Sequence, residues 1–230
     1  MKAGIRVPLL FVALLFSAGC DDKSATAPFD SSVSRYGEDH RLIQFKDKVT
    51  TQPVGDDNIG DFVFTDINGN ETSLKEYVGK KYVVLVVTRG FAGSVCLYCA
   101  TQTSRLLSNY SQFAKRDAEV VVVFPIETPD DSRRHRDFAV SVKNQLDTPI
   151  EKIPFPIVLD IELKVVDQLG IRKDLSKPAT YILDKQGQTR FAYVGESLAD
   201  RPSVKALLEQ LDLLNREAAS ESAAVGRKAP

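Results

Sequence analysis

The sequence predicts an α/β fold with a mixed central β-sheet and helices on both faces. Three observations carry this. Residues 82–88 and 119–125 are two apolar runs without alternation, the pattern of strands covered on both sides. Helical patterns separate such runs, which makes the strands parallel with crossovers between them. Late in the chain, residues 179–184 and 189–194 are two strands joined by Lys185-Gln186-Gly187-Gln188, which adds an antiparallel hairpin.

The elements follow in order. Residues 61–66 alternate and predict a strand, and Asn68-Gly69-Asn70 is a hairpin turn. Residues 73–79 predict a short helix with Ser73 as cap and Gly79 as stop. After the strand 82–88 comes Arg89-Gly90-Phe91-Ala92-Gly93-Ser94-Val95-Cys96-Leu97-Tyr98-Cys99, then a helix to about Lys115. The second apolar strand leads to an amphipathic helix, 132–146, with Phe138, Val142 and Leu146 on one face. Residues 155–160 predict a strand, and 163–169 a helix closed by Gly170. After the hairpin, Asp200-Arg201-Pro202-Ser203 caps a last helix to about Glu217. The compact domain is therefore expected over 53–217, with 218–230 as a small, polar, disordered tail.

The N-terminal fifth is a different kind of sequence. Lys2 and Arg6 precede an apolar stretch, 9–16, too short to remain across a bilayer, and Ser17-Ala18-Gly19 follow. Residues 1–19 thus predict a secretory signal. Its end resembles a bacterial lipoprotein signal, in which the cysteine after the small residues is acylated, here Cys20. Such signals usually carry leucine three places before the cysteine; Ser17 stands there. An ordinary cleaved signal is the alternative. The resemblance implies an exported, membrane-anchored lipoprotein facing the periplasm or cell exterior. Residues 20–52 are polar and predict a partly disordered tether, with Val33, Tyr36, Leu42, Ile43 and Phe45 available to pack on the domain.

Composition narrows the chemistry. The 230 residues carry a net charge of -1, which gives no reason to expect nucleic acid. There are three cysteines, and lipidation of Cys20 would leave Cys96 and Cys99 as a pair. The two histidines, His40 and His135, limit histidine-based sites; His135 sits in a basic run that predicts a solvated helix face.

The pair lies where a buried strand turns into a helix. Unpaired N–H groups and the positive end of the helix dipole favour a thiolate there, and such cysteines fall from about 8.5 to roughly 3.5–7.5. Cys96 is nearer the helix start and is the expected nucleophile. Cys99, one turn on, is the expected resolving thiol of a Cys96–Cys99 disulfide. Arg89 is either a thiolate stabiliser or a loop ion-pair partner. Glu127, just after the second apolar strand, is either a proton acceptor or a solvated carboxylate. Tyr98 is either a hydrogen-bond donor or a shield.

A C-x-x-C at this junction, followed by Lys177-Pro178-Ala179-Thr180-Tyr181-Ile182-Leu183-Asp184, resembles the thioredoxin superfamily. Arg89-Gly90, Pro178-Ala179-Thr180, Tyr193-Val194-Gly195-Glu196 and Asp200-Arg201-Pro202 are similar to its peroxiredoxin-like branch, the alkyl hydroperoxide reductase / thiol-specific antioxidant family. The resemblance implies a thioredoxin-like three-layer sandwich, a cis proline at Pro178 beside the cysteines, and no cofactor. It implies a peroxide or protein disulfide as substrate and a protein or small-molecule thiol as donor. Peroxiredoxins carry proline and threonine seven and three places before the peroxidatic cysteine; Arg89 and Gly93 stand there. The thioredoxin tryptophan and buried aspartate are replaced by Val95 and Gly90.

Three readings of the pair compete. A structural disulfide over so short a loop adds little stability. A copper chaperone would bind metal through Cys96, Cys99 and His135. A peroxiredoxin-like antioxidant oxidoreductase, or a disulfide oxidoreductase of exported proteins, would cycle the pair between dithiol and disulfide.

Overall fold

The structure, a computed structural model, describes residues 43–53, 59–66, 69–91 and 93–226. The predicted signal, Cys20 and His40 lie outside the described residues.

A short strand, β1 (Gln44–Lys46), comes first. A 3-10 turn, Ile59–Asp61, leads into the antiparallel pair β2 (Val63–Asp66) and β3 (Glu71–Ser73). Ser73 then caps a 3-10 helix, Leu74–Tyr77: its hydroxyl accepts from Lys75 N–H while Glu76 returns to the Ser73 N–H. The central strands β4 (Tyr82–Val87) and β5 (Ala118–Ile126) are buried along their whole lengths. Helices α1 (Leu97–Ser108) and α2 (Tyr110–Ala114) connect them. The predicted single helix to Lys115 is broken at Asn109, whose side-chain amide donates to the Arg105 carbonyl at 2.9 Å. A 3-10 turn, Pro129–Arg133, precedes α3 (Arg134–Lys143), and β6 (Ile157–Ile161) and α4 (Lys164–Gln168) follow. Two short strands, β7 (Arg172–Lys173) and β8 (Leu175–Ser176), then β9 (Ala179–Leu183), β10 (Thr189–Val194), β11 (Asp200–Pro202) and α5 (Val204–Gly226) complete the fold.

The main sheet has seven strands in the order β10-β9-β4-β5-β6-β2-β3. Strands β4, β5 and β6 are parallel; β9, β10, β2 and β3 run antiparallel to their neighbours. Side chains alternate along β4 and β5, so each strand feeds two cores. Val84, Val86, Val120, Val122 and Phe124 face α1, α3 and α5; Val83, Leu85, Val87, Val121 and Val123 face α4 and the 3-10 helix. This is the three-layer, mixed-sheet sandwich that the sequence predicts.

The fold runs past both expected bounds of the compact domain, 53–217, and at the N-terminal end it includes Phe45, one of the residues expected to pack there. The predicted tail is helical through Gly226, because Glu217, Ala218, Ala219 and Glu221 are good helix formers and Glu217 is held by Arg190 at 2.6 Å. The predicted tether contributes to the fold, because β1 pairs in parallel with β11. Consequently Asp200-Arg201-Pro202 is a strand rather than a cap; Ser203 alone caps α5, accepting from Ala206 N–H at 3.1 Å.

Candidate active site

Strand β4 delivers the chain to the C-terminal end of the parallel strands, and Thr88 holds it there by donating its hydroxyl to the Val123 carbonyl at 2.9 Å. The turn that follows depends on Gly90. Its φ is +92°, and a Cβ there would stand 2.2 Å from the Pro125 carbonyl oxygen. That close approach lets Phe91 N–H bond Pro125 at 3.1 Å and aims the preceding N–H, of Arg89, at α1.

Cys96 is the N-cap of α1 and is half-buried; Cys99 is 1 % exposed. Both are free thiols. The donors gather on Cys99. Arg89 backbone N–H reaches its sulfur at 3.3 Å, and the guanidinium of Arg201 reaches it at 3.5 Å. Arg201 is fully buried and is itself held by Gln102 Oε1 at 2.5 Å and the Leu198 carbonyl at 2.8 Å.

Burial alone raises the Cys99 thiol. The hydrogen bond from Cys96, the charge of Arg201 and the N–H of Arg89 outweigh burial and bring it down to about 6. Cys96 moves the opposite way: its thiol is pushed up, first by its hydrogen bond to Cys99, then by burial and the neighbouring negative charge. Near neutral pH the pair therefore carries one negative charge, centred on Cys99, with the Cys96 proton between the sulfurs. From sequence, the helix dipole places that charge on Cys96. A buried guanidinium is a full charge and the dipole a partial one, so Cys99 takes it.

The other sequence-predicted residues divide. Arg89 is at the pair, but its contact is the backbone N–H; the guanidinium role falls to Arg201. The cis proline expected at Pro178 is corrected, since the described residues contain no cis peptide bond. Pro178 immediately precedes β9, outside the strand ladder, and its carbonyl accepts from Gly195 N–H at 2.8 Å. Pro178, Arg89, Ser176, Lys177, Gly195 and Leu198 line a cavity of about 130 Å³. Glu127 is exposed at the end of β5, and its charge acts on Arg172. Tyr98 is half-buried on the first turn of α1. His135 is buried rather than solvated, because α3 turns it inward and its Nδ1 pairs with the Ser132 carbonyl. Among the described residues no three His, Cys, Asp or Glu side chains converge as metal ligands.

The sequence places Arg201 in a family-like stretch but gives it no role at the thiols, and it gives Gln102 none. Arg201 lies 102 residues from Cys99 in a segment that reads as a helix cap. The available signal was the likeness of Asp200-Arg201-Pro202 to the family, a stretch too short to assign to a strand without its partner.

A thioredoxin-like three-layer sandwich with a charge-stabilised dithiol at the end of its parallel strands defines a thiol-dependent oxidoreductase. Residues 55–192 match the AhpC/TSA family, and the chain belongs to it. A search of curated proteins finds no match. Among solved structures, a mitochondrial 2-Cys peroxiredoxin from Plasmodium falciparum is similar at 19% identity and TM-score 0.56, covering 74% of this chain and 98% of that one. A yeast mitochondrial 1-Cys peroxiredoxin is similar at 15% identity and TM-score 0.58, covering 73% and 78%. The peroxidoxin BcpB of Mycobacterium tuberculosis is similar at 19% identity and TM-score 0.53, covering 72% and 98%. At these identities the structures support the fold alone.

Proposed function

We propose that the protein reduces peroxides through a Cys96/Cys99 dithiol–disulfide cycle. The observation that supports this is the asymmetry of the pair: the accessible sulfur is Cys96, and the buried one, Cys99, receives the Arg89 N–H and the Arg201 guanidinium. Cys99 takes the Cys96 proton as Cys96 attacks. The Cys96 sulfur bonds one peroxide oxygen, the O–O bond breaks, and the leaving alkoxide or hydroxide takes the proton back from Cys99. Cys96 is now a sulfenic acid. The Cys99 thiolate attacks that sulfur and displaces hydroxide, which takes a solvent proton and leaves as water. A dithiol donor returns two electrons and two protons and is itself oxidised to a disulfide. The yeast 1-Cys peroxiredoxin is resolved through glutathione/thioredoxin systems, and a thiol donor of that chemistry fits here.

Mixing the reduced protein with hydrogen peroxide tests the reading. Wild type is expected to oxidise well above the rate of free cysteine and to yield the Cys96–Cys99 disulfide. Cys99→Ser should stop at a Cys96 sulfenic acid that dimedone traps. Oxidation no faster than free cysteine would contradict peroxidase function.

A second reading, exchange with protein disulfides, is favoured by the half-buried apolar residues Phe91, Val95, Leu97 and Tyr98 around Cys96. It predicts that an oxidised dithiol peptide reacts faster than peroxide.

For location, we propose that the chain is exported and anchored through acylated Cys20. Palmitate labelling of the expressed protein should be lost in Cys20→Ala; labelling that persists would exclude this anchor.

A further inference from the structure

Arg201 sits on β11, and β11 is not part of the seven-stranded sheet. Its one strand partner among the described residues is β1, which pairs Gln44 with Asp200, Phe45 with Arg201 and Lys46 with Pro202. The pairing is fastened at both ends: Gln44 N–H donates to the Ala199 carbonyl at 2.8 Å, and Ser203 N–H donates to the Lys46 carbonyl at 2.9 Å. Both strands lie outside the 55–192 stretch that matches the family.

Side chains alternate across β11. Arg201 turns inward to Cys99 and Gln102, while Asp200, 3 % exposed, turns to a separate polar knot. There Lys46 Nζ lies 3.0 Å from Asp200 Oδ1, Tyr193 OH donates to the same oxygen at 2.6 Å, and Glu196 N–H donates to Oδ2 at 3.1 Å. Lys46 also stands 5.6 Å over the Tyr193 ring. Phe45, level with Arg201, lies 4.3 Å from the Arg105 guanidinium of α1, the helix that carries both cysteines. The segment beyond β1 continues the embrace: Thr51 Oγ1 accepts from Ala192 N–H at 3.0 Å, and the Gln52 amide accepts from Val194 N–H at 2.7 Å. Thus β1 touches the strand that bears the guanidinium and the helix that bears the sulfurs.

We propose that β1 is a positioning element for the thiol pair: by pairing with β11 and clamping Asp200 through Lys46, it fixes the reach of the Arg201 guanidinium to Cys99. The thiolate of this chain is then set by a strand N-terminal to the family fold. Reach matters because the guanidinium meets the sulfur at 3.5 Å, an ordinary N–H···S separation that a shift of about an ångström would break. Lys46 acts through Asp200 and Arg201 and touches neither sulfur. The charged and titratable groups that face the pair are Arg201 from β11 and each cysteine from α1; those that face Asp200 are Lys46 from β1 and Tyr193 from β10.

The proposal rests on Arg201 holding the Cys99 charge, and one experiment separates the two claims. The alkylation rate of the reduced full-length protein by iodoacetamide is measured from pH 5 to 10 for wild type, Gln44→Pro, Lys46→Met, Arg201→Met and Lys81→Met. Gln44→Pro removes the N–H that bonds Ala199. Lys81→Met removes an ion pair to Glu119 at the opposite end of the sheet and controls for general loosening. The expected result is about tenfold slower alkylation at pH 6 in Gln44→Pro and about threefold slower in Lys46→Met, with the profile displaced toward alkaline pH and Lys81→Met unchanged. Melting curves check that each variant is folded; if Gln44→Pro is not, Lys46→Met carries the test. Profiles of Gln44→Pro and Lys46→Met that coincide with wild type, while that of Arg201→Met moves, overturn the proposal and leave the site intact. A profile that does not move in Arg201→Met overturns the reading on which it rests.

Discussion

Two acids are buried at the C-terminal ends of the parallel strands, one on each face of the sheet, and they behave oppositely. On one face Asp160, 2 % exposed, accepts N–H bonds from Val165 at 2.9 Å and Val166 at 3.0 Å, at the start of α4. On the other face Cys99, 1 % exposed, accepts from Arg89 N–H and Arg201. Burial raises both. For Asp160 the backbone bonds do not offset it, and the carboxyl stays above its ordinary range. For Cys99 the neighbouring thiol and the guanidinium reverse the sign, and the thiol falls to about 6. At Asp160 two backbone N–H bonds do not outweigh burial; at Cys99 the Cys96 hydrogen bond, joined by the Arg201 charge, does. The first arrangement is a helix cap and the second is a reactive site.

Removing the charge should give the largest effect. In Arg201→Met the pair's first ionisation is expected to rise from about 6 toward the ordinary thiol value of about 8.5, which cuts the thiolate present at pH 7 about 30-fold. Peroxide oxidation at pH 7, followed by stopped flow, should fall by a similar factor. An unchanged rate would mean that the guanidinium is structural.

Gly90→Ala attacks the backbone donor instead. The added Cβ meets the Pro125 carbonyl at a positive φ, so a loss of about 1–3 kcal/mol in urea unfolding is expected, together with a slower thiol as the Arg89 N–H shifts.

Asp160→Asn sharpens the comparison from the other face. It should cost about 1 kcal/mol through the weakened cap and leave the thiol profile untouched. It should also change a pH dependence. The folded-state pKa of Asp160 is raised, so between the ordinary aspartate value and the raised one the folded protein holds a proton the unfolded chain has released. Wild type therefore loses stability as pH rises through that window, and Asp160→Asn should not. Smallest of all, Glu127→Gln is expected to change peroxide kinetics less than about twofold, since an exposed charge is screened by solvent.

What the sequence made legible follows the range of the interactions. The strands β4 and β5 were plain because unbroken valine runs have few other uses, and the Ser73 and Gly79 signals were local. Cys96 and Cys99 were plain because their spacing and the strand before them are also local. The thiolate's location was not, because Arg201 reaches Cys99 from 102 residues away on a three-residue strand that exists only when β1 lies beside it. The break at Asn109 and the extension of α5 to Gly226 were missed for a different reason: caps and propensities fix helix ends only weakly.

The central claim is that one of the two sulfurs is already ionised at neutral pH. Thiolate absorbance near 240 nm, titrated on the reduced protein with the Cys96→Ser/Cys99→Ser double variant as blank, measures it directly. One thiolate per chain should appear with a midpoint around about 6, and the second should stay protonated well into the alkaline range. Two thiols that titrate together near about 8.5 would contradict the account.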